Sequence, residues 1–174
     1  MKSFARKPLF LFRKSAAMVA LAASLMWPAA SQAGSVSSTL FVSATVLNQC
    51  TIGNASLAFG NYDPSSGTPT NATGTLSVQC NSGTPYNVGL GAGTFSGATV
   101  TTRKMTGPDA TGLGYALYRD PARTQNWGNT VGTDTVAGTG NGSSQSLTVY
   151  GQIPAGQSLM GGSYSDSITA TLTF

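Results

Sequence analysis

The feature that most constrains this chain is the row of alternating side chains between Ser35 and Ile52 (S-V-S-S-T-L-F-V-S-A-T-V-L-N-Q-C-T-I). Val36, Leu40, Val42, Ala44 and Val46 fall on even positions, with Ser38 as the polar member of that row. The odd positions are mostly Ser or Thr, and Phe41 interrupts them. A period of two describes a β-strand that buries one face. A long apolar strand near a chain's beginning has to be paired or covered, because an open edge recruits other chains. Two outcomes are open: the strand folds back on its own sheet, or it is lent to a neighbour.

The preceding residues bear on that choice. Lys2, Arg6, Lys7, Arg13 and Lys14 form a basic start, Ser15 to Ala30 is uncharged and apolar, and Ser31-Gln32-Ala33 has the small-x-small form of a cleavage site. Residues 1–33 therefore read as a secretory signal peptide and Gly34 as the first mature residue. The whole chain carries a formal charge of +4. Without the leader, Arg103, Lys104, Arg119 and Arg123 stand against five aspartates, a net charge of −1. The basic character thus belongs to the leader and gives no argument for nucleic acid as a partner.

The rest of the chain has no long helical period and repeats short alternating segments between Gly, Pro and Asn clusters. That pattern predicts one all-β domain, a sandwich or barrel. Predicted strands are 35–52, Leu57–Gly60, Thr75–Cys80, Tyr86–Gly91, Thr99–Met105, the Leu113/Tyr115/Leu117 segment, Gln145–Ile153 and Tyr164–Phe174. A turn is expected at Tyr62-Asp63-Pro64, and 128–144 reads as a loop or weak edge hairpin. Cys50 and Cys80 close two of these strands, and two cysteines in an exported chain predict a disulfide.

The chain has no His and no Glu, which excludes a Ser-His-Asp triad, a Cys-His pair and a His-based zinc site. The aspartates sit mostly at turns (Asp63-Pro64, Pro108-Asp109, Asp120-Pro121), where Asp is favoured for backbone reasons. No cofactor-binding or metal-binding motif is present, and the chain reads as a non-enzyme. Asp120, Arg123 and Trp127 invite a ligand-site reading. Packing of Trp127 under a loop, with Arg123 holding Asp120 across a turn, is the favoured alternative.

Five segments together carry a family resemblance: F-V-S-A-T-V-L-N-Q-C-T-I (41–52), F-G-N-Y-D-P (59–64), G-Y-A-L-Y-R-D-P-A-R-T-Q-N-W-G (114–128), L-T-V-Y-G-Q-I-P-A-G-Q (147–157) and G-S-Y-S-D-S-I-T-A-T-L-T-F (162–174). The mature chain resembles the spore coat protein U family, which includes the pilins of archaic chaperone–usher pili. The resemblance implies an incomplete immunoglobulin-like β-sandwich of the pilin type, completed by a donated strand. It implies 34–46 as a donor-strand extension, with Val36, Leu40, Val42, Ala44 and Val46 as its inserting residues, and 47–174 as the pilin domain. The strand bearing Ile168, Ala170, Leu172 and Phe174 would line the acceptor groove and face a chaperone, with no residue after it to supply a seventh strand. Implied partners are a periplasmic chaperone, an outer-membrane usher and like pilin subunits. The implied route runs through the periplasm to a surface pilus serving attachment and biofilm formation. Two other readings stay open from the residues: a monomeric secreted binding module with 35–46 paired in cis, and a coat or matrix protein.

Overall fold

The computed structural model describes residues 32–108 and 110–174. Most of the expected signal peptide, residues 1–31, lies outside the described residues, as does Asp109. The chain divides into two units, one ending at Ser43 and one running from Ala44 to Phe174. In the first, residues 32–43 form no strand, and Val36, Leu40, Phe41 and Val42 are exposed.

The second unit holds eight strands: β1 (Cys50–Ile52), β2 (Thr70–Cys80), β3 (Pro85–Leu90), β4 (Arg103–Met105), β5 (Leu113–Tyr118), β6 (Val136–Thr139), β7 (Ser144–Ile153) and β8 (Ala170–Thr173). They make a five-stranded sheet in the order β1-β2-β7-β5-β4 and a three-stranded sheet in the order β6-β3-β8. Every ladder is antiparallel. This is the expected all-β fold, an immunoglobulin-like sandwich left incomplete on one side.

The frame of the larger sheet is the ribbon of β2 and β7, paired from Thr70↔Ile153 to Gln79↔Ser144. Leu76, Val78 and Cys80 face inward from β2, and Val149 and Ile153 from β7. Tyr86, Val88 and Leu90 of β3 meet them from the smaller sheet, with Leu113, Tyr115 and Leu117 of β5. On β2, β5 and β7 each set alternates with more exposed residues, the pattern of a sheet with one dry face.

Several expected strands are shorter or absent. Of the predicted 35–52 strand, only Cys50–Ile52 joins a ladder; residues 47–49 are held by single bonds from Asn81 and Thr84 and not by strand pairing. Thr99–Met105 is reduced to Arg103–Met105, and Tyr164–Phe174 to Ala170–Thr173 with a single bridge at Thr106↔Ser165. The expected Leu57–Gly60 strand is not formed. Its two apolar residues instead lie over glycines of the central ribbon. A Cβ on Gly74 would stand 2.7 Å from the Ser56 carbonyl oxygen, and one on Gly151 would stand 2.7 Å from Phe59 Cζ. Both approaches need glycine, since real Cβ atoms do not come so close. Conversely, Val136–Thr139, expected within a loop or weak hairpin, is the edge strand β6.

Two buried side chains tie the sheets together. Trp127 is fully buried, and its Nε1 donates to the Val88 carbonyl at 2.8 Å. Arg103 on β4 is 1% exposed. Its Nε donates to Gly91 O at 2.8 Å, and one terminal nitrogen donates to Leu90 O at 2.8 Å and Trp127 O at 2.7 Å. Backbone carbonyls thus take three of its hydrogen bonds, which makes the buried cation tolerable, while its other terminal nitrogen is buried without a partner.

Candidate functional site: an open groove beside a free edge strand

Strand β8 pairs only with β3 and ends the smaller sheet, so its other edge is free. Beside it opens a groove of about 1090 Å³. One wall is β8 with the residues leading into it, including Leu159, Tyr164, Ile168 and Ala170; the other is the segment from Ile52 to Tyr62. The floor is the inner face of the large sheet, with Leu76, Leu113, Tyr115, Leu117, Val149 and Ile153. In a closed sandwich such residues meet a strand. Here Ile168, Ala170 and Leu172, the inward row of the β8 region, are only half-buried, and Phe174 is 57% exposed.

The opposite wall is held without strand pairing. Gly53 N donates to Ser77 O at 2.8 Å, the last backbone bond along β2. From there Leu57 and Phe59 pack on the core, with Phe59 edge-on to Tyr115 at 6.2 Å between centroids. The Tyr62 hydroxyl then closes the segment, donating to Pro154 O at 3.1 Å and accepting from Gln157 N at 2.8 Å. Gln157 in turn bonds both the N–H and the carbonyl of Gly114, each at 2.8 Å, where a neighbouring strand would otherwise reach.

One charged group faces the groove. Asp166 stands in the inward row of Ile168 and Ala170. It accepts from Thr94 N, Thr94 Oγ1 and Ser167 N, each at 2.8 Å, and from the Tyr115 hydroxyl at 2.7 Å. Partial burial raises its carboxyl pKa, but the hydrogen bonds outweigh this and hold it below the ordinary value of 3.8. Burial, with the bond to Asp166, pushes the Tyr115 phenol strongly upward, so it stays a donor. A carboxyl whose folded pKa is depressed contributes stability that is present above its unfolded pKa and lost as pH falls through the folded one. Asp166→Asn should therefore lower stability at pH 7 by about 1–2 kcal/mol, toward the low end because the site is partly solvated. Chemical denaturation at pH 7 and below pH 3.8 checks this: the difference between the two proteins should shrink in acid.

The expected donor residues are laid bare. Val36, Leu40, Val42 and Val46 are between 84% and 101% exposed, and no strand forms over 32–49. Where this segment joins the sandwich, the backbone is fastened. Asn81 Nδ2 donates to Leu47 O and Asn81 N to Gln49 O, each at 3.0 Å, while Thr84 Oγ1 donates to Asn48 Oδ1 at 3.2 Å. Cys50 and Cys80 then face each other across the β1–β2 ladder, joined as a disulfide with Cα atoms 4.1 Å apart.

Trp127 lies in the core rather than at a ligand site, the packing alternative of the two readings. The expected Arg123–Asp120 clasp is corrected in its side chains. Asp120's carboxylate caps the N–H groups of Thr124 and Gln125, whereas the Arg123 guanidinium lies over the Tyr150 ring and Arg123 Nε donates to Gly151 O. Sequence reasoning missed Arg103 and Asp166 as organising groups. The signal was available: Arg103 shares the alternating row of Met105 on β4, and Asp166 the row of Ile168 in the segment leading into β8.

Among the described residues, no three His, Cys, Asp or Glu side chains gather as a metal site. The profile of the Spore Coat Protein U domain matches residues 36–171. Protein U of Myxococcus xanthus is 36% identical over 176 residues, covering 93% of this chain and 98% of that protein. Among solved structures, a chain in the chaperone–tip adhesion subunit pre-assembly complex of the archaic chaperone–usher Csu pili of Acinetobacter baumannii has a similar fold. The TM-score is 0.53 at 21% identity, over 75% of this chain and 40% of that chain.

Proposed function

This chain belongs to the Spore Coat Protein U domain family, and from that premise we propose that it is a structural subunit of an archaic chaperone–usher pilus. Residues 34–46 are the donor extension and 47–174 the pilin domain. The observation that carries this reading is the open groove beside the free edge of β8, in a chain that also bears an uncovered apolar row at Val36–Val46. The row of one subunit fills the groove of the next. Backbone pairing with β8 supplies affinity, and alternating side chains supply fit. Before assembly a periplasmic chaperone covers the same groove, and an outer-membrane usher passes the subunit to the growing fibre.

The magnitudes favour such exchange. Burying Val36, Leu40, Val42, Ala44 and Val46 contributes on the order of 8–12 kcal/mol as an upper estimate. Whole domains are stable by about 5–15 kcal/mol. One borrowed strand is thus comparable with the stability of the entire fold, and an unfilled subunit is marginal. The chemistry required is packing and pairing alone, consistent with a chain lacking His and Glu.

A fusion tests the proposal. A second copy of residues 35–46, attached after Phe174 through a short flexible linker, should yield a chaperone-free monomer with a cooperative, high melting transition. The unfused mature chain made without a chaperone should be aggregated or polymeric in size-exclusion chromatography. An unfused chain that stays monomeric and melts as high as the fusion would defeat the proposal, because its own strand would already fill the groove.

A further inference from the structure

A second, smaller opening lies away from the groove, where β5 parts from β7. The two strands pair only from Ala116↔Gln152 to Tyr118↔Tyr150, so β7 from Ser144 to Val149 has a ladder neighbour on its β2 side alone. The gap is a notch of about 210 Å³. Leu147 and Val136 give it an apolar floor over the fully buried Trp127, Ser146, Thr148 and Tyr150 stand along its sides, and Arg119 brings a cation.

Arg119 is held there with its bonding incomplete. One terminal nitrogen donates to Thr135 O at 3.0 Å, while Nε is buried and has no partner. Buried polar atoms are nearly always satisfied, so unsatisfied ones beside a cavity point to a missing ligand or water. Arg123 adds a second cation: its backbone is left-handed (φ 56°), and its guanidinium lies 5.9 Å from the Tyr150 ring centroid. Among the described residues, the side-chain partners of both arginines are carbonyl oxygens and that ring, with no carboxylate among them. Arg119 lines the notch together with Tyr150, and Arg123 stands over the Tyr150 ring from outside that lining.

The geometry points to a binding site for a single carboxylated sugar unit, of the uronic-acid type, within an acidic polysaccharide. A guanidinium edge matches a carboxylate in a way a lone ammonium does not. The apolar floor and Tyr150 suit the carbon face of a pyranose, and Ser146 and Thr148 suit its hydroxyls. The volume is below the roughly 300–1,000 Å³ of sites for drug-sized ligands, which limits the occupant to about one ring. This site is independent of strand donation, so its test does not depend on polymer formation.

The test is calorimetric titration of the purified mature chain, as polymer or chaperone-bound subunit, with galacturonate, its neutral methyl ester, galactose and acetate. Galacturonate should bind with a dissociation constant on the order of millimolar, as expected for so small a ligand. The ester, galactose and acetate should each bind at least about tenfold weaker, the loss of a charged contact or of the ring contacts. Arg119→Gln should weaken galacturonate by about tenfold or more at an unchanged melting temperature. Thr148→Trp, which fills the notch from an exposed position, should do the same if the first variant folds poorly. Equal affinity for galactose or the ester, equal affinity for acetate, undiminished binding by both variants, or no binding of galacturonate at tens of millimolar would each overturn the assignment.

Discussion

Val42→Asp is expected to leave secretion and chaperone binding intact while abolishing polymers. In the wild-type chain Val42 is the middle of the uncovered row and is 85% exposed, so a charge there meets solvent. In the neighbour's groove it would meet the apolar floor set by Leu76, Leu117 and Val149. Aspartate there forfeits about 1.5–3 kcal/mol of valine burial and adds several kcal/mol for an unpaired carboxylate. At 1.4 kcal/mol per tenfold, the combined loss is about a thousandfold or more in strand exchange. Native gels and electron microscopy of surface material should show no ladder and no fibres, with subunit still recoverable on its chaperone. Ser43→Asp, one residue on and in the opposite row, should polymerise almost normally. Polymers from Val42→Asp at wild-type abundance would rule out 35–46 as the inserting row.

The second large effect is expected from removing the disulfide. Cys50→Ala with Cys80→Ala opens a loop set by a sequence separation of 30 residues. The chain-entropy model assigns such a closure about 3–4 kcal/mol. Cys80 is also 1% exposed in the core, which adds lost packing to lost constraint. In a domain that is marginal without its donated strand, the double variant should scarcely accumulate in an oxidising compartment. When donor-fused, it should unfold at a distinctly lower urea midpoint than the fused wild type. Intact mass of the mature protein should show no free thiol. Two free thiols in exported, assembled protein would contradict the role given to this bond.

Much of the architecture was legible because alternation in Thr75–Cys80, Tyr86–Leu90, Leu113–Leu117 and Gln145–Ile153 is enforced by burial on one face. Where burial does not act, the pattern misleads. Thr70–Gly74 belongs to β2 although Thr, Asn, Ala, Thr and Gly carry no apolar row, since pairing with β7 alone makes it a strand. Leu57 and Phe59 do alternate, but their partner is the glycine-lined floor and not another backbone. Val136–Thr139 read as loop or weak edge hairpin for its small residues, and pairing with β3 makes it an edge strand. The groove could be anticipated through family resemblance, because an absent strand leaves no residue to read. The end of β5 before Asp120-Pro121 was legible, but not that β7 runs on past it from Val149 to Ser144 and so leaves the notch at Arg119.

The Arg103 clasp has a consequence for how the molecule behaves in acid. Its three acceptors are the carbonyls of Leu90, Gly91 and Trp127, which do not titrate, and a guanidinium stays charged throughout the neutral and acid range. Burial lowers its pKa from 12.5, a change with no bearing on acidic media. The latch at Asp166, by contrast, is released once its carboxyl takes a proton. Acidification thus releases one fastening and spares the other: the rim beside β8 slackens while the spine joining the two sheets keeps its grip. A fibre built from such units would soften at its joints before its beads come apart, and neutral medium would tighten the same joints again.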